Sequence, residues 1–419
     1  MNIRVPLILA LLVGVAACAS PVPPARDTGP KAAAPGPRFI AGGPAADELG
    51  AGAGYPKGDR ATFYDVRMTV GSHSHLDEIF RSRIVRRAPT PSRLERAAEP
   101  RIPALDDYLE RTLTTGLLIA RDETILVERY QYDRTDEQRL TSWSMAKTVT
   151  AMLVGIAVAE GRIRSIDDPA STYVPALAGR EYGRTSIRHL LQMSSGVRFR
   201  EQYSGSDDVT TLVLNTYMLR GPGGPGAVAL FNDRLVPAGT RFSYSSAEAQ
   251  VLGLVLRGAT GVTPADYLES RIWQPIGAEA DATWLVDNAG QEATFCCLNA
   301  VLRDYARLGL LLAHEGNWRG RQLIPAAWIQ EATTVRADQP HLRPGTAHPT
   351  YGYGYQTWIL PGERRRMFMF WGVRGQRIYV DPRSKLVMVN TGAHRQSVDV
   401  GPLGQMDALW AAVVSQLGG

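Results

Sequence analysis

Apolar residues along this chain change their spacing, and each spacing predicts a different element of structure. Residues 116–120 and 124–130 are two apolar-rich runs parted by three charged residues, a pattern typical of a β-hairpin. From Met145 to Ala157 the apolar residues recur every three or four positions, which predicts a helix with one buried face. Gly161 lies just beyond this stretch and indicates where the helix ends.

Helical spacing dominates the middle of the chain, from about residue 166 to 290, with irregular loops between the helices. Thr263 followed by Pro264 predicts the start of one helix, since threonine caps a helix and proline suits its first position. A further helix is predicted to start near Asn299 and to continue through Leu312.

The spacing typical of strands returns after Tyr351. Strands are predicted at 353–360, 367–372, 376–380 and 385–391, and a last helix at about 406–417. Because strands from both ends of the chain must meet, we expect one antiparallel sheet flanked by helices, and hence an α/β (α+β) fold. Residues 59–165 and 291–419 would form this discontinuous domain, with 166–290 inserted as a mainly helical domain.

The first residues of the chain predict an export signal. Arg4 supplies a positive charge, and residues 6–17 form an apolar run too short to cross a membrane. The run ends in Val-Ala-Ala followed by Cys18, which resembles the lipobox of bacterial lipoproteins. The resemblance implies a signal peptide over 1–18, a lipid anchor on Cys18 and a place on the periplasmic side of the cell envelope, and Ala19 favours the outer membrane. The alternative is an ordinary secretory signal with an incidental cysteine.

Residues 19–58 follow and are rich in proline, alanine and glycine. Such a composition buries little apolar surface and predicts a flexible tether between the anchor and the folded body.

Composition narrows the classes of function. The chain has 419 residues and a net charge of +5 from arginines scattered along it, so no nucleic-acid partner is expected. Its seven histidines lack metal-ligand spacing, and we predict neither a metal nor a cofactor. Apart from Cys18, the cysteines are the adjacent Cys296 and Cys297, which excludes a framework of disulfides. Two buried thiols are the favoured state, although their redox state stays open.

Lysine is almost absent, and the exception carries the candidate chemistry. The chain has four lysines against 42 arginines, and Lys147 is the only lysine between positions 58 and 384. A guanidinium stays charged at working pH, whereas a desolvated lysine amine loses its proton and acts as a base. Ser144 lies three residues earlier, so a helix places the amine beside the serine hydroxyl.

A Ser-x-x-Lys pair alone occurs by chance, so further motifs decide the class. Tyr244 lies in a Tyr-Ser-Ser run ahead of an apolar helix, residues 201–203 read Glu-Gln-Tyr, and residues 372–376 read Gly-Val-Arg-Gly-Gln. With these motifs, residues 116–391 resemble the class C-like branch of the serine β-lactamase superfamily. Within that branch the chain looks closest to the 6-aminohexanoate-dimer hydrolases and related carboxylesterases. The resemblance implies a β-lactamase/transpeptidase-like fold.

The resemblance also implies roles for individual residues. Ser144 would attack a carbonyl carbon and become acylated, Lys147 would take its proton, and Tyr244 would relay a proton to the leaving group. The backbone N–H groups of Ser144 and Val373 would form the oxyanion hole. The candidates for substrate binding are Tyr203, Ser246, Trp371 and Gly372.

Plainer roles stay open for some of these side chains. Tyr244 also fits a core aromatic, Tyr203 an ordinary loop aromatic, and Trp371 a packing residue. We expect Glu201 to be a solvated loop charge, and His394, after the last strand, to lie in a surface turn.

Two departures from the β-lactamase pattern bear on the substrate. Ser246 stands where β-lactamases carry the asparagine that holds the substrate amide. Residues 370–372 read Phe-Trp-Gly and lack the lysine that meets a β-lactam carboxylate. We therefore expect a serine hydrolase that cleaves an ester or an unstrained amide. The alternatives are a β-lactamase or D-alanyl-D-alanine carboxypeptidase, and a non-catalytic relative that binds an envelope ligand. The natural substrate and the oligomeric state do not follow from the sequence.

Overall fold

A nine-stranded sheet lies at the centre of the described structure and joins strands from both ends of the chain. The computed structural model of the protein describes residues 36–362, 365–398 and 400–419. The predicted signal peptide over 1–18 and its Cys18 anchor lie outside the described residues.

Most strands of this sheet and of two smaller sheets are short, and the longer strands lie in the middle of the nine-stranded sheet. They are β1 Arg38–Phe39, β2 Ser82–Val85, β3 Glu95–Arg96, β4 Thr114–Arg121, β5 Thr124–Tyr130, β6 Leu140–Thr141, β7 Ala282–Leu285, β8 Leu298–Ala300, β9 Asn317–Trp318, β10 Arg321–Gln322, β11 Gly352–Tyr353, β12 Trp358–Ile359, β13 Phe368–Gly372, β14 Gln376–Asp381 and β15 Leu386–Gly392.

The α-helices lie on both faces of the large sheet and in the segment between β6 and β7. They are α1 Thr69–Ser74, α2 Leu76–Ile79, α3 Pro103–Arg111, α4 Met145–Ala159, α5 Glu181–Arg184, α6 Ile187–Leu191, α7 Asp208–Asn215, α8 Gly224–Val228, α9 Ser246–Thr260, α10 Pro264–Leu268, α11 Leu302–Ala313, α12 Ala326–Ala332 and α13 Val400–Leu417.

The order of strands in the large sheet is β1, β5, β4, β15, β14, β13, β12, β11, with β3 also beside β5. Neighbouring strands are antiparallel, except that β1 and β3 run parallel to β5. The predicted hairpin is β4 and β5, and β15 from the end of the chain pairs with β4, with Val389 opposite Leu118. This pairing confirms the predicted α/β (α+β) fold class.

Alternate residues of the sheet face two layers of helices. On β4, Leu118 and Ala120 join the core that contains α4 and α11, whereas Leu117 and Ile119 join the core formed with α3 and α13. This alternation follows from the two-residue period of a strand. Helix α4 packs against β13 on one side and α9 on the other, and its first turn lies beside Gly372 at the end of β13.

Residues 36–58 differ from the predicted tether, because they pack on the body of the protein. Strand β1 pairs with β5, and Leu49 and Tyr55 are buried in a small apolar cluster. The Tyr55 ring meets the Tyr132 ring edge to face, and its hydroxyl donates to the Ala41 carbonyl at 2.8 Å. The buried side chains of Leu49 and Tyr55 thus hold residues 36–58 on the body, although the composition of this stretch predicts flexibility.

Two predicted element boundaries are wrong. Residues 298–300 form β8 rather than the start of a helix, because they pair with β6 and β7, and α11 begins only at Leu302. The strand predicted at 353–360 is two short antiparallel strands, β11 and β12. Both differences arise from pairing with distant segments, which the spacing of apolar residues does not report.

The contacts of the chain place Pro35–Gly419 in a single compact unit, and the division at 166–290 into two domains stays a prediction. Among the described helices, none has both the length and the apolar character that crossing a membrane would require.

Glu248 on α9 predicts how stability depends on pH. Its carboxyl is buried, and burial raises its pKa from 4.5 to about 8, although hydrogen bonds from Ser195 oppose the shift. Between pH 4.5 and 8 the native protein therefore keeps a proton that the unfolded chain has lost. The free energy of unfolding then falls as pH rises through this window, by at most about 1.4 kcal/mol per pH unit from this group.

We expect Glu248→Gln to remove this slope, since the amide resembles the neutral acid and does not titrate. The measurement is denaturant unfolding of both proteins at several pH values between 5 and 8, with the exposed Glu95→Gln as the control. The difference in stability between variant and wild type should grow in favour of the variant as pH rises. A difference that stays constant with pH would contradict a buried neutral Glu248.

Candidate active site

The candidate nucleophile lies at the first turn of α4. Ser144 caps this helix directly after Trp143, whose backbone is left-handed with φ 41°. A bulky residue adopts this conformation only where its surroundings hold it. Here Ser142 holds the turn, since its N–H donates to the Leu298 carbonyl at 2.8 Å and its hydroxyl accepts from the Leu298 N–H at 3.1 Å.

Lys147 is buried beside Ser144, as the spacing of the two residues predicts. Its Nζ lies 2.8 Å from Ser144 Oγ, 3.0 Å from Ser246 Oγ and 2.9 Å from the Phe295 carbonyl oxygen. Burial lowers the pKa of Lys147 from 10.5 to about 8, although the negative charge of Glu201 opposes the shift. A substantial fraction of the amine is therefore neutral near pH 8, which is the state that a base needs.

Glu201 connects the loop at 201–203 to the candidate base. Its Oε1 accepts hydrogen bonds from the hydroxyls of Ser246 and Tyr203, each at 2.8 Å, and its Oε2 accepts from the Ser246 N–H at 2.7 Å. Because Ser246 also contacts Lys147, a chain of hydrogen bonds joins Glu201 to the lysine. The expectation of a solvated loop charge is therefore wrong. The Glu-x-Tyr motif is the sequence feature that points to this residue.

Tyr244 lies on the other side of Ser144, with its ring 4.9 Å from Lys147 Nζ. Burial and then the charge of Glu201 raise the pKa of Tyr244, whereas its hydrogen bond with Ser144 lowers it. The phenol is consequently protonated at working pH and suits the donation of a proton. Its ring stacks on Trp358, with the centroids 5.7 Å apart.

The end of β13 passes so close to the nucleophile that only glycine fits. A Cβ on Gly372 would lie 2.3 Å from the Ser142 carbonyl oxygen and 3.2 Å from the Ser144 nitrogen. The hydrogen bonds of the described residues leave the N–H groups of Ser144 and Val373 without an acceptor. An oxyanion hole requires two N–H groups that are free to donate to the same oxygen atom, and these two lie on adjoining segments.

Trp371 is half-buried and lies against Arg377, whose guanidinium is 4.0 Å from the centre of the indole ring. Arg377 is 1% exposed, and its Nη1 donates to the Gly372 carbonyl at 2.8 Å. Trp371 also packs against Trp358, with the centroids 5.0 Å apart. It is therefore both a packing residue and a wall of the space next to Tyr244.

Two cavities meet at Ser144. The large cavity has a volume of about 560 Å³ and apolar walls that include Phe63, Tyr217 and Phe295. The small cavity has a volume of about 180 Å³ and is lined by Tyr244, Trp358 and Trp371 among others. Four residues line both cavities, namely Ser144, Glu201, Tyr203 and Val373. A carbonyl group at Ser144 would thus have room for a substituent on either side.

Cys296 and Cys297 form a disulfide, which corrects the expectation of two buried thiols. Cys297 has a left-handed backbone with φ 67°, and this turn brings the two side chains together. Cys296 lines the large cavity directly after Phe295, whose carbonyl accepts from Lys147. Whether neighbouring cysteines pair depends on this backbone turn, which their adjacency in sequence does not reveal.

His394 is buried rather than in a surface turn, with 2% of the residue exposed. Burial, together with the positive charges of Arg377 and Arg374, lowers its pKa to about 4, so it is neutral at working pH. In the ranges that the structure describes, no three side chains of His, Cys, Asp or Glu converge in a way that would hold a metal ion.

The family comparison and the contact between Ser144 and Lys147 place the protein among the serine hydrolases of the β-lactamase type. The sequence profile of the Beta-lactamase family matches residues 104–391, and the chain belongs to this family.

Three similar proteins support this assignment. The chain is 28% identical over 299 residues to the 6-aminohexanoate-dimer hydrolase of Paenarthrobacter ureafaciens, an alignment that covers 70% of this chain and 76% of the relative. A Bacillus anthracis structure described as a 6-aminohexanoate-dimer hydrolase superposes with a TM-score of 0.76 at 22% identity, over 86% of this chain and 97% of the other. A penicillin-binding protein from Bacillus halodurans superposes with a TM-score of 0.57 at 20% identity, over 74% of this chain and 98% of the other. These structures share the fold.

Proposed function

We propose that the protein hydrolyses an ester or an unstrained amide through an acyl-enzyme on Ser144. The observation that carries the proposal is the set of three contacts around Lys147 Nζ, with Ser144, Ser246 and the Phe295 carbonyl. These partners are arranged so that a neutral lysine presents its lone pair to the serine.

The chemistry of its three partners decides which hydrogen bonds the Lys147 amine donates and which one it accepts. The Phe295 carbonyl only accepts, and the Ser246 hydroxyl donates its hydrogen bond to Glu201 and so accepts one from Lys147. A neutral amine has two N–H donors, which these two acceptors use. Its lone pair is then left for the Ser144 hydroxyl, 2.8 Å away. Lys147 is thereby set to remove the proton as Ser144 attacks.

The other groups complete the cycle. Ser144 Oγ forms a bond to the carbonyl carbon, and the N–H groups of Ser144 and Val373 donate hydrogen bonds to the carbonyl oxygen as it becomes negatively charged. The bond to the leaving atom breaks as Tyr244 gives that atom its proton and recovers one from Lys147. Water then attacks the acyl carbon and gives up a proton to Tyr244, which passes its own proton to Lys147. The bond from the carbonyl carbon to Ser144 Oγ breaks as Lys147 returns a proton to Ser144, and the acid is released.

The surroundings of the serine favour an open-chain substrate over a β-lactam. Ser246, in the position of the β-lactamase asparagine, is engaged by Lys147 and Glu201 instead of facing an incoming amide. The relative from Paenarthrobacter ureafaciens is by name a hydrolase of 6-aminohexanoate dimer, an unstrained amide. Rapid turnover of a chromogenic cephalosporin, with no hydrolysis of simple esters, would favour the β-lactamase alternative.

The direct test is the intact mass of the full-length protein after exposure to a fluorophosphonate, followed by peptide mapping. We expect one adduct, on Ser144, and none in Ser144→Ala. A folded protein that forms no adduct would instead support a non-catalytic relative that binds an envelope ligand.

The rate of this labelling should depend on pH through Lys147. Because the amine must be neutral to accept a proton, and its pKa is about 8, the rate constant should rise about tenfold per pH unit below pH 8 and level off above it. Glu201→Gln removes the charge that opposes the shift, so the midpoint should move to lower pH. A labelling rate independent of pH between 6 and 9 would contradict the role of Lys147 as base.

We further propose that the protein is an exported lipoprotein on the periplasmic side of a bacterial envelope, anchored through Cys18, with the outer membrane favoured by Ala19. This proposal rests on the sequence of residues 1–19. Incorporation of radiolabelled palmitate into the wild type, and not into Cys18→Ala, is the measurement that tests it.

A further inference from the structure

Arg374 is an arginine of the large cavity that the proposed mechanism leaves unused. It directly follows Val373 of the candidate oxyanion hole. Its backbone is left-handed, with φ 59°, and its side chain lines the large cavity. Its Nη1 donates to the carbonyls of His394 and Arg395, and its guanidinium lies 4.8 Å from the centre of the Tyr64 ring. The rest of the structure thus holds the charged group in place beside the cavity.

Among the residues that the structure describes, this positive charge has no acidic partner. Among the ion pairs of the described residues, none involves Arg374, and its Nε is buried without a hydrogen-bond partner. A guanidinium that is removed from water and unpaired is costly, and it is retained where something else supplies the negative charge.

Two more arginines border the same cavity. Arg60 and Arg220 are exposed at its rim, and neither takes part in an ion pair among the described residues. Among the described residues that line the cavity, the acidic one is Glu201, which is already engaged by Ser246 and Tyr203. The cavity as a whole therefore combines apolar walls with an excess of positive charge.

The position of Tyr244 assigns the two cavities to the two halves of a substrate. Tyr244 lines the small cavity and not the large one, and it is the group that protonates the leaving atom in the proposed function. The leaving group then lies in the small cavity, and the acyl group lies on the opposite side of the carbonyl carbon, in the large cavity.

We propose that the large cavity binds an acyl group that carries a carboxylate at the far end of an apolar chain, and that Arg374 recognises this carboxylate. This inference rests on the proposed function, because it uses the acyl-enzyme on Ser144 and the role of Tyr244. The apolar walls take up the chain, and the guanidinium offers charge-assisted hydrogen bonds to the carboxylate. The natural substrate is then a half-ester or half-amide of a dicarboxylic acid.

The test uses 4-nitrophenyl monoesters of adipic and suberic acid, each matched with the neutral hexanoate or octanoate ester of the same chain length. In the full-length wild type, kcat/KM should be about tenfold higher or more for the carboxylated ester at one or both lengths. Arg374→Gln should lower this ratio about tenfold, and Arg374→Lys, which keeps the charge, should lower it less. The matched control is Arg336→Gln, a surface arginine paired with Asp338, which should leave the ratio unchanged.

A second pair of substrates checks the assignment of the cavities. Phenyl hexanoate and 4-carboxyphenyl hexanoate carry the difference in charge on the leaving group, and no preference for the carboxylated ester is expected there. A preference only in this second pair would overturn the inference, and so would equal rates for the first pair or parallel losses for both its members in Arg374→Gln. If none of the esters acylates Ser144, the proposed function itself is wrong. Hydrolysis without a preference for the carboxylated acyl group would contradict only the inference about Arg374.

Discussion

Lys147→Arg should lower kcat/KM for a hydrolysed ester by about a thousandfold or more, although it keeps the positive charge and the helix propensity. The reason is that a guanidinium holds its proton at every working pH, so it cannot accept the proton of Ser144. Lys147→Met, which has no proton to exchange and similar bulk, should be equally inactive. The measurements are steady-state kinetics and the rate of fluorophosphonate labelling, with thermal unfolding to show that each variant is folded.

Lys57→Arg is the matched control, because it makes the same replacement at an exposed lysine far along the chain from the site. It should retain wild-type kinetics. Near-normal turnover by a folded Lys147→Arg would show that Lys147 is not the general base that activates Ser144.

Tyr244→Phe should have an effect that depends on the leaving group. For amides and alkyl esters, whose leaving atom must be protonated as it departs, kcat/KM should fall about a hundredfold to ten-thousandfold. For 4-nitrophenyl esters, whose leaving phenolate is stable without a proton, the loss should be within about tenfold. The measurement is kcat/KM of the variant and the wild type for an ethyl ester and a 4-nitrophenyl ester of the same acid.

Tyr267→Phe serves as the control, because Tyr267 donates to Glu160 at the far end of α4 and lines neither cavity. It should not separate the two substrates. Equal losses for good and poor leaving groups in Tyr244→Phe would assign the tyrosine a part in holding the site together instead of a proton transfer.

The elements that could be predicted from the sequence are those whose cause is local. The hairpin of β4 and β5 consists of two short apolar runs joined by a charged turn, and α4 has a period near 3.6 with a glycine just beyond its end. Ser144 and Lys147 belong to the same helical turn, so their contact also follows from local geometry. These features need no knowledge of the rest of the fold.

The surroundings of the lysine could not be predicted in the same way, because they come from segments far apart in sequence. Ser246 is 99 residues from Lys147 and the Phe295 carbonyl is 148 residues away. A backbone carbonyl has no sequence signature at all. The Glu-x-Tyr motif points to Glu201, but its contact with Ser246 depends on the fold. The motif resemblance supplies the class of site, and the pairing of partners requires the structure.

The hydrogen bond from Arg377 to the Gly372 carbonyl has a consequence for the neighbouring N–H group. In a trans peptide, the carbonyl of one residue and the N–H of the next point in opposite directions from the same plane. Holding the Gly372 carbonyl toward Arg377 therefore holds the Val373 N–H toward Ser144, and rotation of this peptide would break the bond. Although burial lowers the pKa of Arg377 to about 10, the guanidinium stays charged through the neutral range. The donor that meets the carbonyl oxygen of a substrate is thus held by a group that does not titrate there, so changes of activity between pH 6 and 9 should not arise from this donor.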